Sequence, residues 1–110
     1  MKVGLIRCMQ TEEYCPATTD LKFMREKKGA FEGVEEDIEL VGIVTCGGCP
    51  GKKAVLRARE MAERGADTIV FASCITRGNP IGMPCPFEKR MREAVQKDLG
   101  EDIKIITYTH

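Results

Sequence analysis

The sequence lacks the features that mark several large classes of protein. It carries 17 basic and 17 acidic side chains, a formal net charge of +0, and no basic stripe of the kind that binds nucleic acid or anionic membranes. No apolar run approaches the roughly 20 residues of a membrane helix, and the run in "MKVGLIRC" is too short for a signal peptide. We therefore expect a cytoplasmic protein with no nucleic-acid or membrane partner.

No internal repeat, linker or low-complexity tract divides the chain. At 110 residues and 43% hydrophobic content, it has the commonest size of one compact domain and enough apolar residues for one core. The sequence predicts a single domain over residues 1–110.

Four apolar segments rich in Val, Ile and Thr predict β-strands at residues 2–7, 38–45, 67–73 and 103–109. Such uniformly apolar segments are typical of parallel strands buried on both faces. Apolar residues at helical spacing predict helices over residues 19–28, 52–65 and 85–100. Right-handed crossovers make this order a three-layer α/β sandwich. We expect a four-stranded parallel sheet in the flavodoxin-like order 2-1-3-4.

The cysteines follow the predicted strands. Cys8 comes after the first strand, Cys46 and Cys49 after the second, Cys74 after the third, and Cys85 in the loop that leaves the third. The only histidine, His110, ends the fourth predicted strand, and Cys15 lies on the loop after the first. The carboxyl ends of parallel strands meet at one edge, where such sheets place their ligands. In a reducing cytosol, clustered thiols favour metal binding or catalysis over disulfides.

The stretch "TCGGCPGKK" contains a C-x-x-C pair, Cys46 and Cys49. Zinc takes four tetrahedral ligands, and such a pair supplies two of them. We expect Cys8 and Cys74 to complete the set, with Cys85 or His110 as competitors for the last place. The same cysteines suit an iron–sulfur cluster. A helix that starts near Pro50 would place Cys49 at its N-cap, where the helix dipole favours thiolate.

Two other interpretations of this stretch remain open. A C-x-x-C pair at a helix start is the thioredoxin-like arrangement, so Cys46 and Cys49 can be a thiol–disulfide oxidoreductase pair. Cys46 followed by five residues and Lys52 is similar to the loop of cysteine-based phosphatases, which predicts anion or phosphate chemistry, although Lys replaces the preferred Arg. Whether the protein is an enzyme stays open.

The segment "SCITRGNPIGMPCP" at residues 73–86 is long for a loop of an α/β fold. Long loops at the active edge often cover a binding site. We expect this one to cover the thiol cluster, to bring Cys85 and Arg77 toward Cys46 and Cys49, and to enclose a small-molecule ligand under residues 74–86.

The chain resembles the CGGC-domain family, small prokaryotic proteins named for the tetrad found here at residues 46–49. The similar blocks are "IRCMQTEEYCPATTD", "TCGGCPGKKA", "FASCITRGNPIGMPCP" and the final "YTH". The resemblance implies metal binding, with zinc as the usual metal. It implies a functional set made of Cys8, Cys15, Cys46, Cys49, Cys74, Cys85 and His110. It implies no particular reaction.

Overall fold

Four parallel strands form one central sheet in the computed structural model, which describes residues 1–110. The strands are β1 (Lys2–Arg7), β2 (Glu39–Thr45), β3 (Thr68–Phe71) and β4 (Lys104–Ile106). They lie in the order β2-β1-β3-β4, and every pairing is parallel. The predicted α/β fold and its strand order are therefore confirmed.

Helices connect the strands. They are α1 (Thr18–Glu26), α2 (Lys53–Glu63), the single turn α3 (Ser73–Thr76) and α4 (Glu88–Leu99), with 3-10 turns at Met9–Thr11 and Gly29–Phe31. None of these helices combines the length and the apolar content that crossing a bilayer requires. Helix α2 approaches the sheet closely, because a Cβ atom at Gly4 would lie 2.9 Å from Sδ of Met61. The turn at residues 46–49 leads from β2 toward α2.

The core lies between the sheet and the helices. The central strand β3 is buried at every residue, whereas the edge strand β2 is partly exposed. Completely buried side chains include Leu5, Ile69, Phe71 and Val95. Burying each such side chain stabilises the fold by about 1.5–3 kcal/mol, so this core holds the carboxyl ends of the strands in place.

The structure corrects two predicted boundaries and adds one helical turn. Helix α2 begins at Lys53 rather than near Pro50, because Gly51 has a φ of 82° and a left-handed residue cannot continue a right-handed helix. Cys49 is therefore not an N-cap. Residues 73–86 contain one helical turn, α3, that the sequence pattern did not predict. Strand β4 ends at Ile106, so His110 lies beyond the strand.

A bidentate ion pair joins α2 to α4 and predicts how stability depends on pH. Nε and Nη2 of Arg59 donate to the two carboxylate oxygens of Asp98 at 2.9 and 2.7 Å. This hydrogen bonding, with the guanidinium charge, holds the pKa of Asp98 below its ordinary value. Because the pKa of Asp98 is lower in the folded state, its ionised carboxylate stabilises the fold at pH values above the unfolded-state pKa of about 3.9. This stabilisation is lost as the pH falls through the folded-state pKa.

Replacing Asp98 with asparagine is expected to lower the free energy of unfolding slightly at neutral pH and to flatten its decline between about pH 5 and pH 3. Urea unfolding at a series of pH values measures both effects. If the two proteins lose stability in parallel over this range, the Arg59–Asp98 pair does not set the acid sensitivity.

Candidate metal centre

Four cysteines line one cavity at the carboxyl edge of the sheet. They are Cys8, Cys49, Cys74 and Cys85, and the cavity measures about 260 Å³. We call it the thiol cavity. The four cysteines come from four different segments of the chain. Cys8 follows β1, Cys49 lies in the turn after β2, Cys74 lies in α3, and Cys85 lies in the loop before α4. The parallel sheet therefore gathers thiols that are distant in the sequence.

A hydrogen bond joins two of these cysteines. The backbone N–H of Cys8 donates to Sγ of Cys74 at 3.2 Å, across a separation of 66 residues. The contact follows from the pairing of β1 with β3, because Ile6 lies opposite Phe71 and both chains leave the sheet side by side. Cys8 and Cys74 thus form the fixed part of the cavity.

The loop after α3 covers the thiol cavity, as expected from the sequence. Ile81, Met83 and Cys85 of this loop line it, and Sγ of Cys85 accepts a hydrogen bond from the N–H of Phe87 at 3.4 Å. Arg77 does not join them. Its guanidinium donates to the carbonyl of His110 at 2.9 Å and lies 4.2 Å from the centre of the Tyr108 ring.

Burial governs the ionisation of two of the lining thiols. It raises the pKa of Cys74, against the opposing hydrogen bond from the Cys8 N–H. Burial also raises the pKa of Cys85, and negative charge on Cys46, Cys8 or Cys49 raises it further. Both thiols therefore keep their protons at neutral pH, and a metal ion would have to displace them.

Cys46 lies beside this cavity without lining it. It is buried, and its backbone N–H donates to the carbonyl of Arg7 at 2.9 Å, which extends the pairing of β2 with β1 by one residue. Cys46 is close enough for its charge to influence Cys85. Four of the five cysteines predicted for the edge therefore line one cavity, and Cys46 is not among them.

His110 lies in a second cavity, on the other side of Cys74. This polar cavity of about 190 Å³ is lined by Cys15, Thr18, Thr19, Asp20, Cys74 and His110, among others. Cys74 thus lines both cavities, whereas His110 belongs only to the polar one. The prediction that His110 competes with Cys85 for the same ion has no support in this arrangement.

Asp20 is a residue of this site that the sequence analysis missed. Its side chain is only 3% exposed, and one carboxylate oxygen accepts a hydrogen bond from the hydroxyl of Thr109. It is the third residue of α1, where an acidic side chain is a common helix-start signal. Its spacing of four residues from the buried Met24 places it on the apolar face of α1, and a carboxylate on a core-facing stripe is the signal that would have found it.

Arg7 is a buried cation without an anionic partner. Its residue is 8% exposed, and its side chain donates one hydrogen bond, to the carbonyl of Cys15. The Nε atom has no partner, and the residue takes part in none of the ion pairs of the fold. A buried charge normally has a compensating partner. The side chain of Arg7 lines neither cavity and instead fixes the main chain at Cys15, which lines the polar cavity.

The side chains are not closed around an ion in this conformation. No three Cys, His, Asp or Glu side chains are arranged so that they could hold a metal. Cys49 and Cys85 lie on connecting segments rather than on strands or helices, so they can approach Cys8 and Cys74 without a change in the sheet. The sulfur donors fit a soft or borderline metal.

The alternative interpretations have less geometric support. Neither Cys46 nor Cys49 lies at the start of a helix, which the thioredoxin-like interpretation requires. Lys52 is exposed, so nothing draws its ammonium group toward the buried Cys46 to form an anion site. Both interpretations remain predictions of the sequence alone.

Comparison with known proteins identifies the family. The sequence profile described as the CGGC domain matches residues 2–110. The chain belongs to the CGGC-domain family. Metal binding is the property attributed to this family, and membership specifies neither the metal nor its ligands.

Two relatives of this CGGC-domain protein come from Methanocaldococcus jannaschii. The uncharacterized protein MJ0582 is 40% identical over 80 residues, which is 67% of this chain and 62% of the relative. The chain therefore spans less than two thirds of that relative. The uncharacterized protein MJ0766 is 31% identical over 58 residues, which is 52% of this chain and 83% of the relative. No solved structure matches the chain significantly.

Proposed function

We propose that this CGGC-domain protein binds one zinc ion, or an iron–sulfur cluster, in the thiol cavity. The proposed ligands are Cys8, Cys49, Cys74 and Cys85. The observation that carries the proposal is that these four thiols, from four separate segments, line a single cavity. Cys46, whose charge acts on Cys85, is the nearest replacement for any one of them.

The surroundings of the cavity support a thiolate-bound metal. Four thiolates and one divalent ion carry a net double negative charge, which hydrogen-bond donors around the sulfur atoms would have to offset. The N–H groups of Cys8 and Phe87 already donate to Cys74 and Cys85, and such hydrogen bonds stabilise sulfur in its charged form. With four protein ligands the ion would be structural, stored or sensed. If water occupied one of the coordination positions, the ion could act as a Lewis acid.

The first test is metal analysis of the full chain purified without oxygen, together with its absorption spectrum. Bound zinc without colour supports the zinc form, and iron with sulfide and a brown colour supports the cluster. The variant Cys85→Ser is expected to lose the metal of the thiol cavity, while Cys15→Ser, the same change in the polar cavity, is expected to retain it. Wild-type protein that binds neither metal nor cluster on reconstitution would contradict the proposal.

A further inference from the structure

We propose that the exposed edge of β2 is an interface for a second copy of this chain, with the two β2 strands side by side and antiparallel across a two-fold axis. Strand β2 lies at the end of the sheet and pairs only with β1. The outer row of its backbone N–H and C=O groups therefore has no strand partner, and such an edge can pair with a strand of another chain. The proposal does not depend on a metal in the thiol cavity.

The composition of β2 is that of a strand inside a sheet rather than one at its edge. Residues 40–44 read "LVGIV" and contain neither a charged residue nor proline, the residues that commonly prevent edge strands from pairing. Leu40 and Ile43 are nevertheless 37% and 41% exposed. Strand β2 has seven residues, whereas β4, at the opposite edge, has three. Of the two edges, β2 is therefore the one suited to pairing.

A β-bulge limits the part of β2 that can pair regularly. Val3 of β1 lies opposite Leu40 and Gly4 lies opposite Gly42, so Val41 is an extra residue. Beyond it the register is regular as far as the end of the strand. Ile43 lies in this regular part, so we place the two-fold axis beside it. The two exposed Ile43 side chains, one from each copy, would then lie directly opposite each other, near enough to pack together.

Unpaired charges of opposite sign lie at the two ends of β2. Glu39, its first residue, is exposed and takes part in no ion pair. At the other end, Arg57 donates to the carbonyl and the hydroxyl of Thr45 at 2.9 and 3.0 Å. Lys53 lies nearby, because a Cβ atom at Gly47 would lie 2.7 Å from Cβ of Lys53 and 3.3 Å from Cζ of Arg57. Neither cation takes part in an ion pair.

These charges select an antiparallel second copy as the partner. With Ile43 opposite Ile43, Glu39 of one copy lies opposite residue 47 of the other, beside Lys53 and Arg57. The two-fold axis forms this contact twice, because the same patch of both copies takes part. A parallel pairing in register would instead place Glu39 opposite Glu39, and like charges directly opposite are destabilising.

Sedimentation velocity of the full chain over a range of concentrations measures its association. We expect wild-type dimers that weaken as salt is raised from about 0.05 to about 0.5 M, since salt screens exposed charge pairs. Ile43→Lys should weaken dimerisation at least about 30-fold, the effect of losing a central side chain of an interface. Ile81→Lys is the matched control, because Ile81 is 48% exposed but lies in the loop after α3.

Charge reversal tests the antiparallel arrangement. Glu39→Lys and Lys53→Glu should each associate more weakly than wild type, because both contacts of the dimer then join like charges. An equal mixture of the two variants should form dimers that contain one chain of each kind, since both contacts then join opposite charges again. Recovery in the mixture shows that the single variants lost a charge contact and not their fold, which circular dichroism also verifies.

Wild-type protein that stays monomeric at every concentration and at low salt would overturn the proposal. Dimers that Ile43→Lys and Ile81→Lys leave equally intact, or disrupt equally, would also overturn it, since the copies would then meet through another surface. Single charge variants that associate as strongly as wild type would exclude the antiparallel arrangement. None of these results bears on the metal of the thiol cavity, which elemental analysis measures separately.

Discussion

Replacing Cys74 with serine is expected to remove the metal of the thiol cavity. Cys74 is buried, and its sulfur accepts a hydrogen bond from the N–H of Cys8, so it is firmly placed among the four proposed ligands. Loss of a supporting partner alone costs 10–100-fold in metal affinity, and loss of a ligand should cost more, about 100-fold or greater. Serine is close in size to cysteine, and Cys74 lies in the short helix α3 rather than in a strand, so the fold should persist.

The same substitution at two other cysteines provides the matched controls. Cys85→Ser should remove the same metal, whereas Cys15→Ser, which lies outside the thiol cavity, should retain it. Titration of metal-free protein with Zn²⁺ against a competing chelator measures the affinities, and elemental analysis measures the stoichiometry. Cys74→Ser protein that retains the ion with unchanged affinity would show that Cys74 is a packing residue and not a ligand.

Replacing Gly78 with alanine is expected to disturb the loop that carries Cys85. Gly78 is buried with a φ of 81°, and an added Cβ atom would lie 2.5 Å from the backbone nitrogens of Met83 and Pro84. Those atoms belong to the backbone and cannot rotate away, so the segment before Cys85 has to shift. We expect metal affinity in the thiol cavity to fall by about tenfold or more, comparable to the loss of a supporting contact.

Gly82→Ala is the control for this prediction. Gly82 has a similar φ of 77°, yet an added Cβ there meets no atom within 4 Å. Both variants pay the left-handed cost of about 1–2 kcal/mol, which urea unfolding measures, but only Gly78→Ala should also lose metal affinity. Equal metal affinities in the two variants would mean that the position of this loop does not set the site.

The fold could be predicted because its signals are local and repetitive. The apolar runs identified the four strands, and the fixed handedness of crossovers limited how the strands could be ordered. Helix starts were less predictable. Proline, as at position 50, is common in the first turn of a helix, but the sequence does not show that Gly51 adopts a left-handed conformation. The helix therefore begins two residues after Gly51, and Cys49 loses the N-cap position expected for it.

The sequence could predict the sheet edge at which the candidate site lies. It could not predict that this region is divided into the thiol cavity and the polar cavity. Strand order alone implies that Cys8, Cys46 and Cys74 follow neighbouring strands. The separation of His110 from the thiol cavity depends on the residues after β4, which Ser73 holds across the end of β3 through hydrogen bonds to Thr109 and His110. Tertiary contacts of this kind leave no periodic pattern in the sequence, and the burial of Asp20 beside Thr109 depends on the same contacts.

The pairing of the strands also sets the order of events as the chain folds. Lys2 pairs with Glu39, and Val3 pairs with Thr68, so the partners of the first strand are made long after it. Parallel pairings between such distant segments form slowly. Until the third strand docks, the sulfur atoms of a newly made chain stay apart, and an ion that arrives early meets them in mismatched combinations. Correct loading should therefore follow folding.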